Sequence, residues 1–372
     1  MKRICILPVY DCDGVIDNSE EFYISSMADA VDRLIIIIID FLFPNELQKL
    51  KKYTSEIYTK ENKGLDIAAY KEVLEKYINI EEMKQYDELI LSNDTNFGPF
   101  IPFVNIFEEM ASKACDFWGI NYVNAGLRAH LQSDLRAFRR TTYEALYHYF
   151  IDEVRGDEIK HDIVRWHEIA FYRYMLVNGF RSAYYTRENR MDVYYYPYQM
   201  LKDYGHPFIK KRGFDEYGIL RDNYILALNY VRENYKYDLT DICKTVYRKY
   251  GIDIDIEKIA GKEYNPKASI TEDELVDFCS RQTQLYIYGT GEVALNFYSY
   301  YRDLFKDLKG FIVTASENAD TLFGYPVMNL SEIKDNKVGI LVFMGLKNSM
   351  EVEPLLREYR NVLFLWKNGE KQ

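Results

Sequence analysis

The chain has 372 residues, 47 basic and 58 acidic, for a net charge of −11, and 48% of it is hydrophobic. That length allows about two to three domains. The composition excludes intrinsic disorder as the main class, and the acidic balance excludes a nonspecific nucleic-acid binder, which needs positive charge facing phosphates. Five cysteines (Cys5, Cys12, Cys115, Cys243 and Cys279) contain no CxxC pair and the histidines no HExxH, so neither a disulfide framework nor a zinc site is expected. The apolar stretch at the N-terminus is too short for a signal peptide. The longest apolar run, Leu34 to Ile39, stops at Asp40 and is too short to cross a bilayer. A reduced, cytoplasmic protein is expected, with peripheral membrane contact left open.

In chain order, Ile4 to Val9 reads as a buried strand and Tyr10 to Gly14 as a turn. Glu20 to Ala30 is helical. Leu34 to Ile39 is a second buried strand, of the continuous apolar kind found in parallel sheets. A loop from Thr59 to Gly64 leads into a helix over Asp66 to Tyr77, with Ile67, Tyr70, Val73 and Leu74 on one face. Glu88 to Ser92 is a short strand ending in Asn93-Asp94-Thr95-Asn96. Cys115 to Ile120 and Leu131 to Phe138 are further strands, and Ile159 to Asn178 is a helix closed by Gly179. Tyr204 to Phe214 reads as a loop with a basic core, Lys210-Lys211-Arg212. Asp215 to Arg281 is helical and polar, and Gly261 to Ala268 reads as a connection.

A second α/β signature follows. Leu285 to Tyr288 is a strand, Gly289-Thr290-Gly291-Glu292-Val293-Ala294 a GxGxxA turn, and a helix runs to about Leu308. Strands are expected at Gly310 to Thr314, Val338 to Met344 and Asn361 to Trp366. No acid ends the strand after Val313, Glu317 being the nearest, which disfavours NAD-type ribose recognition. Strands alternating with helices give an open, mostly parallel α/β sheet. The expected domains are 1–214, a helical connecting region 215–281, and a Rossmann-like module 282–372.

Ligands of such sheets bind beyond the carboxyl ends of the strands. That rule selects Tyr10 and Asp11 after the first strand, Asn62, Gly64 and Asp66 around the loop into the first long helix, and Asn93-Asp94. Gly64 lets backbone approach a ligand. Asp66 sits where a helix dipole favours a carboxylate, and serves equally as a cap. Asp94, delivered by an apolar strand, suits a hard divalent cation, magnesium or manganese, bridging to a diphosphate. Lys210, Lys211 and Arg212 offer an alternative offset of phosphate charge. Tyrosine, at 35 residues, is abundant, with a cluster over Tyr194-Tyr195-Tyr196-Pro197-Tyr198. Such rings suit sugar stacking as well as ordinary packing.

The ordered set Tyr10 and Gly14, Glu61-Asn62-Lys63-Gly64-Leu65-Asp66-Ile67-Ala68-Ala69-Tyr70, Tyr86-Asp87-Glu88-Leu89-Ile90-Leu91-Ser92-Asn93-Asp94, Phe97-Gly98-Pro99-Phe100, Cys115 to Ile120, His130-Leu131-Gln132-Ser133 and Pro207-Phe208-Ile209-Lys210 resembles the rhamnan synthesis protein F family of bacterial polysaccharide glycosyltransferases. The resemblance covers about residues 1–214. It implies a glycosyltransferase A-type fold and transfer of a deoxysugar, typically rhamnose from its dTDP form, to a growing cell-wall or capsular glycan or lipid-linked glycan. Asn93-Asp94 takes the place of the usual Asp-x-Asp, with one carboxylate instead of two. An inverting transfer needs a base at the acceptor hydroxyl. Glu168 is the expected base, with Asp134 and Asp116 as runners-up. His130, Gln132 and Trp166 are expected on the acceptor side. The turn Gly289, Gly291, Ala294 resembles the nucleotide-fold module of other glycan-assembly enzymes. Two other readings stay open: a noncatalytic assembly scaffold, which the missing second acid favours, and an NAD-dependent sugar oxidoreductase built on Gly289 to Ala294.

Overall fold

The computed structural model describes residues 1–123, 129–187, 193–194, 196–216, 221–235, 237–254, 270, 272–314 and 321–365. The expected connection Gly261 to Ala268, Tyr195, Glu317 and Trp366 lie outside them. The chain divides into two compact units, Met1–Lys262 and Glu263–Gln372.

The first unit has strands β1 (Arg3–Val9), β2 (Arg33–Ile39), β3 (Ile57–Lys60), β4 (Glu88–Ser92), β5 (Asn96–Phe97), β6 (Phe117–Gly119), β7 (Tyr122–Val123), β8 (His130–Leu131), β9 (Leu135–Arg139), β10 (Ser182–Tyr184) and β11 (Ile209–Lys210). Its main sheet has the order β10-β6-β9-β4-β1-β2-β3. All neighbours are parallel except β9, which runs against both β4 and β6. The isoleucine run in β2 explains why this sheet is buried on both faces. Ile35, Ile37 and Ile39 pack with Ile67, Tyr70 and Val73 of the helix Leu65–Lys76. Leu34, Ile36 and Ile38 pack on the other side with Tyr23, Ile24 and Met27 of the helix Asn18–Ala28. Alternate side chains of a strand point to opposite faces, so a strand covered by helices on both sides must be apolar throughout.

Several elements differ from expectation. β3 forms from residues read as the approach to a loop, because Ile57 to Lys60 pair with Ile36 to Ile39. The single strand expected over Leu131 to Phe138 is two, β8 and β9. The expected basic loop holds β11, which pairs with β5, and both Lys210 and Lys211 are buried. The stretch 215–281 is not one connecting region. Its helices Arg221–Tyr235 and Thr240–Tyr250 pack with Phe97, Phe100, Ile209 and Phe214 of the first unit, through Tyr224, Leu228, Ile242 and Val246. The third helix, Glu272–Ser280, belongs to the second unit, where Leu275 and Cys279 join the core.

The second unit carries β12 (Leu285–Tyr288), β13 (Leu308–Val313), β14 (Thr321–Leu322), β15 (Tyr325–Asn329), β16 (Gly339–Val342) and β17 (Asn361–Phe364) in the order β14-β15-β13-β12-β16-β17. All pairs are parallel except the short β14–β15 pair, which gives the Rossmann-like module. Gly289 follows β12 with φ +110°, and a side chain there would meet Phe343 O at 3.1 Å. Ala294 is buried in the helix Glu292–Tyr301, and Gly291 is its N-cap. Among the described residues, the core clusters of the first unit draw on residues up to 254. A chain truncated after residue 254 should therefore melt cooperatively by calorimetry, whereas one truncated after residue 214 should not.

Candidate active site

The sheet order reverses at β1, with β2 on one side and β4 on the other. Chain connections leave in opposite directions there, so the carboxyl ends of β1 and β4 border a crevice. Tyr10 and Asp11 follow β1, and Asn93 and Asp94 follow β4. The two loops are tied directly, because the Tyr10 N–H donates to Asp94 Oδ2 at 2.8 Å. Asp94 is half-buried and Tyr10 exposed.

Asn93 is the hub. Its Nδ2 donates to Asp66 Oδ2 at 3.0 Å and to Ser133 O at 3.3 Å, while its Oδ1 accepts from Thr95 Oγ1 at 2.7 Å. Asp66, in the first turn of the helix Leu65–Lys76, also accepts from the Ile67 N–H at 3.0 Å. Burial, and then the charge of Glu168, push the Asp66 carboxyl above the usual carboxylate range. Gly64 takes φ +67° just before this helix. A Cβ there would stand 2.5 Å from Gly156 O, so glycine permits a close approach between two loops. Asn62 is exposed beside it.

Glu168 arrives from the helical segment Ile163–Ala170, which is wound as a π-helix. It accepts a hydrogen bond from Ser133 Oγ, and His130 Nε2 lies 4.0 Å from its Oε2. Ser133 therefore connects Glu168 to Asn93, and four predicted residues (Asn93, Asp66, Glu168 and His130) come together. Gln132 is next to them, bonded through its Oε1 to Asn121 Nδ2 at 3.0 Å. Trp166 is not brought there. It is half exposed. With Tyr149, Glu158 and His167 it lines a separate cavity of about 490 Å³. His167 is a packing residue, held by Glu158 Oε1 at 3.1 Å and Tyr149 OH at 2.8 Å.

Lys210 and Lys211 are inward-facing, whereas Arg212 is exposed. Lys210 is ion-paired with Asp134, and its Nζ also lies 3.3 Å from Thr95 Oγ1. Asp134, 2% exposed, is paired with Lys210 through Oδ1 while its Oδ2 has no hydrogen-bond partner, and Asp116 is held by Thr141 and the Arg181 N–H at 2.9 Å each. Lys211 Nζ stands 3.5 Å from Oε2 of Glu20, a carboxylate that is 1% exposed. Glu20 reads in the sequence as a polar residue of a surface helix, and nothing in its spacing marks it.

Asp11 is committed. It accepts from Arg248 Nη2 and Lys249 Nζ, each at 2.7 Å. Arg248 reaches Asp13 at 2.5 Å and Asp17 at 2.6 Å as well. Asp11, Cys12 and Asp13 are the described group with three ligand atoms in metal-like proximity, but the guanidinium and ammonium already occupy both carboxylates. Burial raises the Asp11 carboxyl, and the hydrogen bonds and charges of Arg248 and Lys249 outweigh it, leaving the group at about 2. A folded pKa below the unfolded value of about 3.9 gives stability that is complete above that value and lost as pH falls towards 2. Arg248→Met leaves three carboxylates facing one another. It should cost about 2 kcal/mol or more, less than a fully buried pair because the guanidinium is partly exposed. Calorimetry should show the melting temperature several degrees lower and a flatter acid limb between pH 4 and 2.

A divalent cation fits this chemistry. The carboxylates and amide oxygens around Asp94 are hard ligands, and such cations are commonly held by one or two carboxylates plus substrate phosphates.

The model of rhamnan synthesis protein F matches residues 34–338. The chain belongs to the rhamnan synthesis protein F family. The match passes residue 214 and takes in the Gly289 to Ala294 turn, further than the sequence signature reached. The family is described by its part in rhamnan synthesis, and the chain carries a mixed α/β fold with a large, mostly parallel sheet flanked by helices. No curated protein matches the chain. Among solved structures it is similar to the inositol-1-phosphate CTP transferase of T. maritima, at 11% identity and a TM-score of 0.31, over 50% of this chain and 85% of that one. It is also similar to glucosyl-3-phosphoglycerate synthase of Mycobacterium tuberculosis with Mg2+ and uridine diphosphate, at 13% identity and 0.24, over 38% and 57%. A third is the 4-diphosphocytidyl-2C-methyl-D-erythritol synthase of Anaerococcus prevotii, at 11% and 0.29, over 44% and 80%. Among the described residues no helix is long and apolar enough to cross a membrane.

Proposed function

We propose that this family member transfers a deoxysugar, rhamnose from a dTDP donor, to a growing cell-wall or capsular polysaccharide, with inversion at the anomeric carbon. The observation that carries the reading is the placement of Glu168 one residue, Ser133, from the Asn93 that fixes the donor-side loops. Glu168 takes the proton of the acceptor hydroxyl as its oxygen bonds to the anomeric carbon. The bond from that carbon to the diphosphate breaks on the opposite side. Asp94 would hold a magnesium or manganese ion, which neutralises charge on the departing diphosphate. Tyr10 orders the loop through its N–H, and Asp66 and Asn93 keep the crevice walls in register. The acceptor is a glycan or lipid-linked glycan, and the enzyme works in the cytoplasm, at the inner face of the membrane where the acceptor is lipid-linked. The test is incubation with dTDP-rhamnose and a short glycan acceptor, reading dTDP release and the product's anomeric configuration by NMR. Product of inverted configuration supports the proposal. Binding of dTDP-rhamnose without turnover favours the scaffold reading, and retained configuration removes Glu168 as base.

A further inference from the structure

The cavity that takes up Trp166 has no part in the transfer chemistry, yet rare backbone geometry builds its walls. Two segments border it, Tyr149–Glu153 and Ile163–Ala170, and both are wound as π-helices. Less than about 1% of residues in globular proteins have that winding, and it recurs at functional sites. The first segment supplies Tyr149 and Glu153, the second Trp166, His167 and Ala170. The volume of about 490 Å³ falls inside the roughly 300–1,000 Å³ of small-ligand sites.

The lining combines aromatic faces with polar groups of both kinds. Trp166 is exposed, and Tyr149 and Tyr174, with ring centroids 5.0 Å apart, line the cavity with it. Glu158 is buried and already engaged. It accepts from the N–H groups of Arg155 at 2.7 Å and Gly156 at 2.8 Å, and lies 3.1 Å from His167 Nε2. Burial holds the His167 pKa below its usual value and keeps the ring neutral. The other ionic groups of the lining are Glu153 and Asp162, which accept, and Arg155, which donates. An anionic ligand would face two acids with one guanidinium. An ammonium ligand would compete with the Arg165 guanidinium, which already lies over the Trp166 ring at 4.8 Å. A neutral polyhydroxylated ring uses every group present. Its C–H groups pack on exposed indole and phenol surface, while its hydroxyls donate to the carboxylates and accept from Arg155.

We propose that this cavity is a second carbohydrate site, holding neutral pyranose units of a glycan away from the crevice. The transferase reading above bears only on which glycan is held: the growing polysaccharide, gripped behind the end that receives the next sugar. Trp166 and Glu168 lie on one π-helical segment, so the element that grips the glycan also carries the carboxylate that meets Ser133.

The experiment uses the whole protein labelled with 5-fluorotryptophan, followed by fluorine NMR and calorimetry. It is titrated separately with a rhamnose disaccharide, maltose, glucosamine, glucuronic acid and dTDP. Trp166→Ala identifies the Trp166 resonance by its absence, and Trp166→Phe keeps an aromatic face. Circular dichroism is recorded for both. Trp166→Phe also assigns the resonance, so the test survives if the alanine variant unfolds. The expected result is a shift of the Trp166 resonance with a neutral disaccharide and binding about tenfold weaker or worse in Trp166→Ala. Trp166→Phe should fall between, with dTDP affinity unchanged in both. Equal disaccharide affinity in wild type and Trp166→Ala overturns the proposal. So does a Trp166 resonance that moves with glucosamine or glucuronic acid but with neither disaccharide. Binding of maltose alone upholds the site and removes rhamnose as the sugar held. If dTDP binds and sugar is transferred while no disaccharide reaches Trp166, the site is overturned and the transferase reading stands. Trp166-dependent disaccharide binding without any dTDP binding upholds the site and overturns the transferase reading instead.

Discussion

Glu168→Gln should bind donor normally and transfer sugar roughly 10²-fold more slowly or worse, the usual contribution of a positioned base. The amide keeps the size of the side chain, and its oxygen still accepts from Ser133 Oγ, so the walls of the crevice should not move. What disappears is the capacity to take a proton, together with the negative charge that raises Asp66. Asp66 should then ionise at lower pH, which carbon-detected NMR of the carboxyl reads independently of turnover. Single-turnover kinetics with dTDP-rhamnose should show the loss in the transfer step and not in donor affinity. A native transfer rate would remove Glu168 from the chemistry. The neighbouring acids are poor replacements, since Asp134 is paired with Lys210 and Asp116 with Arg181.

Asp94→Asn should cost about 10²–10³-fold in turnover, because a metal-held leaving group supplies several kcal/mol and each 1.36 kcal/mol is a factor of ten. The asparagine oxygen can still accept from the Tyr10 N–H, so the melting temperature should change little. Excess chelator should reproduce the loss in the wild type and add nothing to the variant. Full activity in either case would assign diphosphate neutralisation to the protein's own cations.

The parallel core was readable because its strands are apolar at every position. Runs such as Ile35 to Ile39 leave no solvent face, and strands of that kind sit between two helical layers. The rule for the carboxyl ends of strands then located Asp94, Asn93 and Asp66 without side-chain detail. The reading missed residues whose partners are distant in sequence. Arg248 and Lys249 look like a solvated charge run at a helix end, and only the tertiary structure sets them against Asp11. Lys210 and Lys211 look like an exposed basic loop, yet pairing of Ile209 and Lys210 with β5 buries them. Trp166 and Glu168 were expected to work together because they are two residues apart in sequence, but Trp166 lines the cavity with Tyr149 and His167 while Glu168 meets Ser133. Glu20 carried no signal, since a glutamate in a first helical turn is ordinarily explained by the helix dipole.

Arg248 gathers Asp11, Asp13 and Asp17 from a segment made long before it, and 237 residues separate it from Asp11. At about 5–20 residues per second, a ribosome needs about 12–50 s to cover that interval. For that time the emerging chain carries three mutually repelling carboxylates in the segment that must shape the crevice. The crevice thus acquires its ordered wall only after the helix Thr240–Tyr250 has been made. Order in that wall is therefore tied to synthesis of nearly the whole first unit.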